Sequence, residues 1–410
     1  MPARYLGWLL AGLLVLHPLT ANAKRQPIKP AGTCDGLPRV TLTVTQGWCI
    51  GLLVKGLVSP RGLAALPDGS ILVADLHGWK PKGGSLYRLR RVDGEVRKEK
   101  LFDKLDRPNS VVLGPDGKVY VGEPNRLFRF DPTHPDPVQE DVIGGTSGTP
   151  GLPGTGDHPL ASFIFTSDTR LVVNVGSASN NCEPDQGQTQ RGLSCPEAEG
   201  REARGVLRLY RFDRPGGRIT GWDTMARGLR NSMALALHPS GTLLQGENSR
   251  DDIDRADPSL DGDALPHDEL NLIQQDGDYG WPYCFDNNRP SPEFPRARCA
   301  DRKAPLLLLP AHSAPLGMIY NTMTIAGRGR LSLLVVALHG YHANGHRIVG
   351  LEVDPTGKPY GMPFDLVGDR HGTADIPMGG PVSLGPLAEG GLVFSDERNG
   401  AVLVLRPDVR

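Results

Sequence analysis

Ser59–Asp75 reads SPRGLAALPDGSILVAD: a short apolar run, a Pro-Asp-Gly turn and a second apolar run. That order is strand, tight turn, strand. It returns in RPNSVVLGPDGKVYVGE from Arg107 to Glu123, and in HPLASFIFTSDTRLVVNVG from His158 to Gly176, where TSD replaces PDG. A fourth copy is RNSMALALHPSGTLLQGEN from Arg230. A fifth, APLGMIYNTMTIAGRGRLSLLVVALHG from Ala314, carries an expanded turn, and the sixth is GPVSLGPLAEGGLVFSDE from Gly380. The anchors recur 48 to 84 residues apart, room for about four strands with variable loops. SLYRLRRV, RLFRFDP, VLRLYRFD, RIVGLEVD and AVLVLRP follow the paired strands and supply outer ones. No helical period is sustained, and 52 Gly with 37 Pro fit many short strands and turns. The sequence therefore predicts an all-β fold, a six-bladed β-propeller around a central channel.

Outward from the repeats, the chain begins MPARYLGWLLAGLLVLHPLTANA. A basic residue, a short apolar run and small residues at Ala21 and Ala23 read as a secretory signal peptide, 1–23, cut after Ala23. Residues 24–410 are then expected to form a single propeller domain, periplasmic or secreted, with no membrane span, since no later stretch approaches ~20 apolar residues. Six cysteines fit an oxidising compartment and fall as close neighbours: Cys34 with Cys49, Cys182 with Cys195, Cys284 with Cys299. Six cysteines allow ~15 pairings. Sequential pairing is the expectation, each bridge closing a short loop worth ~3 kcal/mol. No CxxC pair argues for zinc. A net charge of −1 and a pI near 6.8 give no electrostatic case for nucleic acid.

Aligning the repeats places Ser59, Arg107, His158, Arg230, Ala314 and Gly380 at equivalent positions, directly before each first strand. They are expected to surround one mouth of the channel, where the ionisable members could converge on a ligand. Taken singly, a His or Arg at a strand start is more often a loop contact. Between Glu247 and Glu269 stand Asp251, Asp252, Asp254, Asp257, Asp261, Asp263 and Asp268. Such a loop is either a site for a hard cation such as Ca²⁺, which takes carboxylate and carbonyl oxygens, or a solvated acidic run.

The motifs DHPLASFIF, VGSASNNC, GLRNSMALALHPSG, DELNLIQQDGDYGWPYC, PAHSAPLG, ALHGYH with GHRIVGLEV, and GGPVSL carry a resemblance to a known family. GLRN, DELN and YGWP in that order and spacing are the specific part. The chain resembles the secreted quinoprotein glucose/sorbosone dehydrogenases, six-bladed propellers that use pyrroloquinoline quinone (PQQ) and Ca²⁺, and VGSASNNC and GWPYC are closer to the sorbosone-type branch. The resemblance implies that His158 is the general base and Asp157 its acidic neighbour. It implies that Arg230 and Asn231 touch the quinone oxygens and that His339 stands where glucose enzymes place a cofactor-binding Lys. Glu247 and Asn248 would begin the loop whose carbonyls hold a catalytic Ca²⁺, and Asp268, Glu269 and Tyr279 would match a second, structural Ca²⁺ site. The substrate would be a sugar or related aldehyde, with an external electron acceptor.

The chain departs from the family where GRP becomes GGP, Gly380 taking the place of an Arg that binds cofactor carboxylates, and where HGSW becomes HGYH. One absent guanidinium removes a charge-assisted contact of ~1.5–3 kcal/mol. Two other readings stand beside the dehydrogenase: a PQQ-free propeller that binds a ligand or protein, and a Ca²⁺-dependent lactonase-like hydrolase.

Overall fold

At Gly69 and Gly117 the backbone takes φ +78° and +77°, the left-handed conformation that a glycine adopts without Cβ strain. Each Pro-Asp-Gly turn thereby folds one strand onto the next, Pro60–Ala65 onto Ile71–Asp75 and Val111–Leu113 onto Val119–Glu123. A computed structural model describes residues 30–182, 194–340, 344–368, 379–387 and 390–408. The expected signal peptide, 1–23, lies outside the described residues, as do Tyr341 and His342 of HGYH.

Six sheets follow the six repeats, antiparallel except where Gly277–Asp278 joins the edge of the third in parallel. The first blade orders Pro60–Ala65, Ile71–Asp75, Gly84–Val92 and Glu95–Leu105. The second, third, fourth and fifth blades begin at Val111, Phe163, Ala234 and Pro315. The sixth contributes only three strands of its own, Pro381–Pro386, Leu392–Asp396 and Ala401–Pro407. Its fourth is the distant Trp48–Lys55, paired Leu405 to Ile50. The two ends of the chain thus close the ring, and the Cys34–Cys49 disulfide ties the strand pair Pro30–Cys34 and Leu37–Val40 to that closing strand. Cys182–Cys195 and Cys284–Cys299 are also bonded, as sequential pairing expected.

The core is divided among the blade interfaces. Six clusters of buried apolar side chains occupy the six seams, such as Tyr120 and Leu127 with Phe163 and Leu171, or Leu333 and Val335 with Phe394 and Leu403. A seventh, Leu76, Leu160 and Met233, draws residues from the first, third and fourth blades together at the channel.

One polar device repeats with the fold. In four blades the second strand ends on a carboxylate that accepts the N–H of the chain entering the first strand. Asp75 accepts from Ser59 (2.8 Å), Glu123 from Asp106 (2.7 Å), Glu247 from Asn231 (3.0 Å) and Asp396 from Gly380 (2.9 Å). The fifth blade borrows its carboxylate: Ala314 N–H donates to Asp268 of the fourth blade at 2.7 Å. These bonds satisfy backbone donors at strand entries that no sheet partner reaches.

Candidate active site

The strand entries of blades three, four and five and the tip of blade one enclose a cavity of about 310 Å³, at the lower end of the roughly 300–1,000 Å³ range of small-molecule sites. His158, Arg230 and Ala314 line it, as the repeat register expected, but Ser59, Arg107 and Gly380 do not. Arg107 has φ +45° and turns its guanidinium onto Asp106 at 2.8 Å, so it leaves the expected convergence. Ser59 spends its hydroxyl on Gly78 N–H. At Gly380 a Cβ would come within 2.6 Å of the His339 ring, so that ring fills the space a longer side chain would use.

His158 is half-buried, and its Nδ1 lies 2.8 Å from Ser177 Oγ and 3.2 Å from the Ser177 carbonyl. Ser177 Oγ donates to the Ser179 carbonyl at 2.7 Å. With that proton committed, Oγ and the carbonyl are both acceptors, which assigns the His158 proton to Nδ1 and leaves Nε2 with its lone pair. Desolvation, helped by the Arg230 charge, pulls His158 down to about 3, so the imidazole is neutral across the ordinary pH range. Ser177, not Asp157, orients the ring. Asp157 lines the cavity, exposed, with its own N–H on the Ala178 carbonyl.

Arg230 is buried and spends four of its five N–H groups within the chain, on Asn180 O, Asn180 Oδ1, Asn248 O and Ser249 O at 2.8–3.0 Å. It is a clamp between the loops of blades three and four as well as a charge at the cavity wall. Asn231 also lines the cavity, its side-chain oxygen accepting from Asn174 at 3.4 Å. His339 is buried and bonds Glu397 Oε2 at 3.0 Å, and the same carboxylate oxygen takes Arg61 at 2.7 Å. Burial would raise Glu397, but Arg61 and His339 outweigh it and hold the carboxyl near 2. Both Arg61 and His339 line the cavity.

His312 also lines it, with Nδ1 at 3.2 Å from Asp251 Oδ1 and Nε2 at 2.8 Å from Gly262 O. The Asp251 carboxylate raises it to about 9, so it is an imidazolium at neutral pH. Arg61, Ser177 and His312 carry no role in the motif reading. Their signals were nonetheless present, two residues past the first anchor, in VGSASNNC and in PAHSAPLG.

The expected metal ligands separate into three places. Asn248 Oδ1 is buried without a partner beside the main cavity. Glu247 and Glu269 face each other across paired strands and, with Tyr279, line a second cavity of about 20 Å³, room for roughly one water-sized occupant. Burial raises Glu247 to about 7, and burial with the Glu247 charge drives Glu269 well above the carboxylate range. Asn271 Oδ1 is also buried without a partner, its Nδ2 donating to Glu269 at 3.1 Å. Two costly carboxylates and an orphan oxygen are a donor set that suits a hard cation.

Asp268 is different. Strand alternation turns it to the opposite face from Glu269, where Ser249 N–H, Ser313 Oγ and Ala314 N–H satisfy it, and burial raises it to about 6. It joins blades rather than completing the Glu269 site. The loop carboxylates between are largely spent on local turns, such as Asp257 with Ser259. Orphan oxygens suited to Ca²⁺ are present, and the main cavity sets the cations Arg61, Arg230 and His312, which could meet an anionic cofactor, beside the carboxylates of Asp157, Asp251 and Asp268.

Comparison with known proteins agrees with this architecture. A family model described as TrAA12-like matches residues 42–297, and the chain belongs to that family. A pyrroloquinoline quinone-dependent sugar dehydrogenase of Hypocrea jecorina is 24% identical over 328 residues, covering 68% of this chain and 70% of the relative. The structure of a Trichoderma reesei carbohydrate-active enzyme of family AA12 superposes with TM-score 0.69 at 21% identity, over 92% of this chain and 100% of that one. The holo PQQ domain of pyranose dehydrogenase from Coprinopsis cinerea gives 0.68 at 18%, over 91% and 99%. The structural likenesses establish the fold, and the kinship with PQQ-dependent sugar dehydrogenases read from the motifs holds. It bears on the family as a whole and not on the sorbosone-type branch.

Proposed function

We propose that the protein is a PQQ- and Ca²⁺-dependent oxidoreductase that oxidises the hydroxyl or hydrated aldehyde carbon of a sugar or related aldehyde. The observation that carries this reading is His158: neutral, its Nδ1 proton committed to Ser177, its Nε2 open, in one cavity with Arg230 and Asn231. A substrate hydroxyl donates to His158 Nε2, which takes the proton as hydride leaves the same carbon. The bound quinone supplies the hydride acceptor, and an external acceptor later withdraws the electrons. Arg230, Asn231 and His339 would hold the cofactor. Asn248 would serve the catalytic Ca²⁺, and Glu247, Glu269 and Tyr279 the structural one. The fifth N–H of Arg230, on the Nη2 that stands 3.7 Å from Asp251 Oδ2, is the one that would turn to negative charge developing in the cavity.

Residues 1–23 are read as a signal peptide and 24–410 as one exported domain, a reading supported by three disulfides. The second reading, a PQQ-free binding propeller, draws on Gly380, where the His339 ring takes the space of the family's Arg. Steady-state reduction of an artificial electron acceptor by aldoses, with and without PQQ and EDTA, separates the two. The dehydrogenase requires sugar-dependent reduction that needs both PQQ and Ca²⁺, and none under any condition would leave the binding propeller.

A further inference from the structure

Trp79 lines the mouth of the main cavity with about half of its surface, 49%, in water. Its backbone has φ +67°, following His77 at +62° and Gly78 at +67°. A bulky aromatic in the left-handed region is strained and persists only where its surroundings hold it there. Those surroundings are specific. Leu76, fully buried, is pinned at the channel against Leu160 and Met233. His77 N–H donates to Asp75 Oδ1 at 3.2 Å, Gly78 N–H to Ser59 Oγ at 3.2 Å, and Gly83 N–H to Lys80 O at 3.1 Å. The loop is thus tied down at both ends while its largest apolar side chain is left exposed. Burial of the indole in this chain does not account for that arrangement.

Position in the ring gives the exposure a direction. Trp79 belongs to blade one, and blade four, which carries Arg230 and Asn231, is three blades on and therefore across the channel. His158 comes from blade three between them. A ligand in this cavity meets the indole and Arg61 from blade one, and Arg230, Asn231 and the His158 base from the blades across and beside it. A cyclic sugar has that pattern, a face of C–H groups and an edge of hydroxyls. An open-chain aldehyde lacks the face.

We infer that Trp79 is the platform on which the ring of a cyclic sugar lies, and that it makes the site prefer ring-closed sugars to short open-chain aldehydes. The inference rests on the sugar-oxidising reading above and adds to it the residue that selects ring form.

The test compares wild-type, Trp79→Ala and Trp79→Phe holoenzymes by the ratio of kcat/KM for glucose to that for glyceraldehyde. Expected is a fall in this ratio of about tenfold in Trp79→Ala, the scale of one aromatic face, carried by KM and largely restored in Trp79→Phe. A binding readout free of turnover is titration with 1,5-anhydroglucitol, which has the ring but no anomeric hydroxyl to oxidise. It should change the indole emission of the wild type and leave that of Trp79→Phe unchanged. An unchanged ratio in Trp79→Ala, or equal losses for both substrates, overturns the inference. So does a weaker PQQ affinity in Trp79→Ala with the ratio intact, because the indole then serves the cofactor. If the wild type oxidises no sugar, the functional reading fails, and the fluorescence titration still decides on Trp79.

Discussion

Replacing Ser177 with alanine isolates the orientation of the proposed base from its presence. The fully buried Ser177 offers His158 Nδ1 two acceptors, the hydroxyl at 2.8 Å and the carbonyl at 3.2 Å, and the substitution removes only the shorter. Losing one neutral hydrogen bond costs about 0.5–1.5 kcal/mol, a factor of roughly 2–13 in rate at constant mechanism. Ser177→Ala should therefore lower kcat by that factor and leave KM and PQQ affinity close to wild type. His158→Ala removes the base itself and should lower kcat by about 10²–10⁴. Because desolvation and Arg230 hold His158 near 3, an NMR titration of the apoprotein should find its imidazole neutral down to about pH 4. The sign follows for stability: the folded state binds fewer protons than the unfolded one between the depressed value and the ordinary His value. Stability from this group is complete above about 6.5 and declines as pH falls towards 3. Stopped-flow reduction of the cofactor measures the chemical step. An active His158→Ala enzyme, or a Ser177→Ala loss as large as that of His158→Ala, would refute the reasoning.

Ca²⁺ binding at Glu247 and Glu269 should strengthen as pH rises through about 7, because burial keeps Glu247 protonated below it, Glu269 is raised as well, and the ion must displace the protons; calorimetry in two buffers of different ionisation enthalpy should detect proton release, and a pH-independent affinity would move the ion elsewhere. Arg230→Ala should cost on the order of 3–5 kcal/mol of stability, since it strands the carbonyls of Asn180, Asn248 and Ser249; denaturant unfolding checks this, and wild-type stability would show the guanidinium to be no clamp. Non-reducing peptide mapping of exported protein should recover Cys34–Cys49, Cys182–Cys195 and Cys284–Cys299, and free thiols at those positions would contradict the bonded state.

The six blades were legible because each repeat carries its own turn, and a turn such as Pro67-Asp68-Gly69 is decided locally. The closing strand was not, because Trp48–Lys55 finds its partner Ala401–Pro407 some 350 residues away and neither segment names the other. At the site, repeat register correctly brought His158 and Arg230 to one cavity. It failed for Arg107, whose left-handed backbone redirects the side chain. Treating Asp268 and Glu269 as one ligand set overlooked strand alternation, which sends neighbours to opposite faces. Glu247 has the structural counterparts Asp75, Glu123 and Asp396. The metal role proposed for it therefore rests on its pairing with Glu269 and not on its place in the repeat. Ser177 acts on a histidine nineteen residues away, through a contact that only the blade places.

The measurement that bears most directly on the proposed function is the absorbance of purified, metal-free protein titrated with PQQ in the presence of CaCl₂, followed by an aldose. Expected is saturable, stoichiometric binding of the quinone that EDTA weakens, and bleaching of the oxidised chromophore when the sugar is added. A spectrum that stays that of free PQQ at every protein concentration would contradict the dehydrogenase reading.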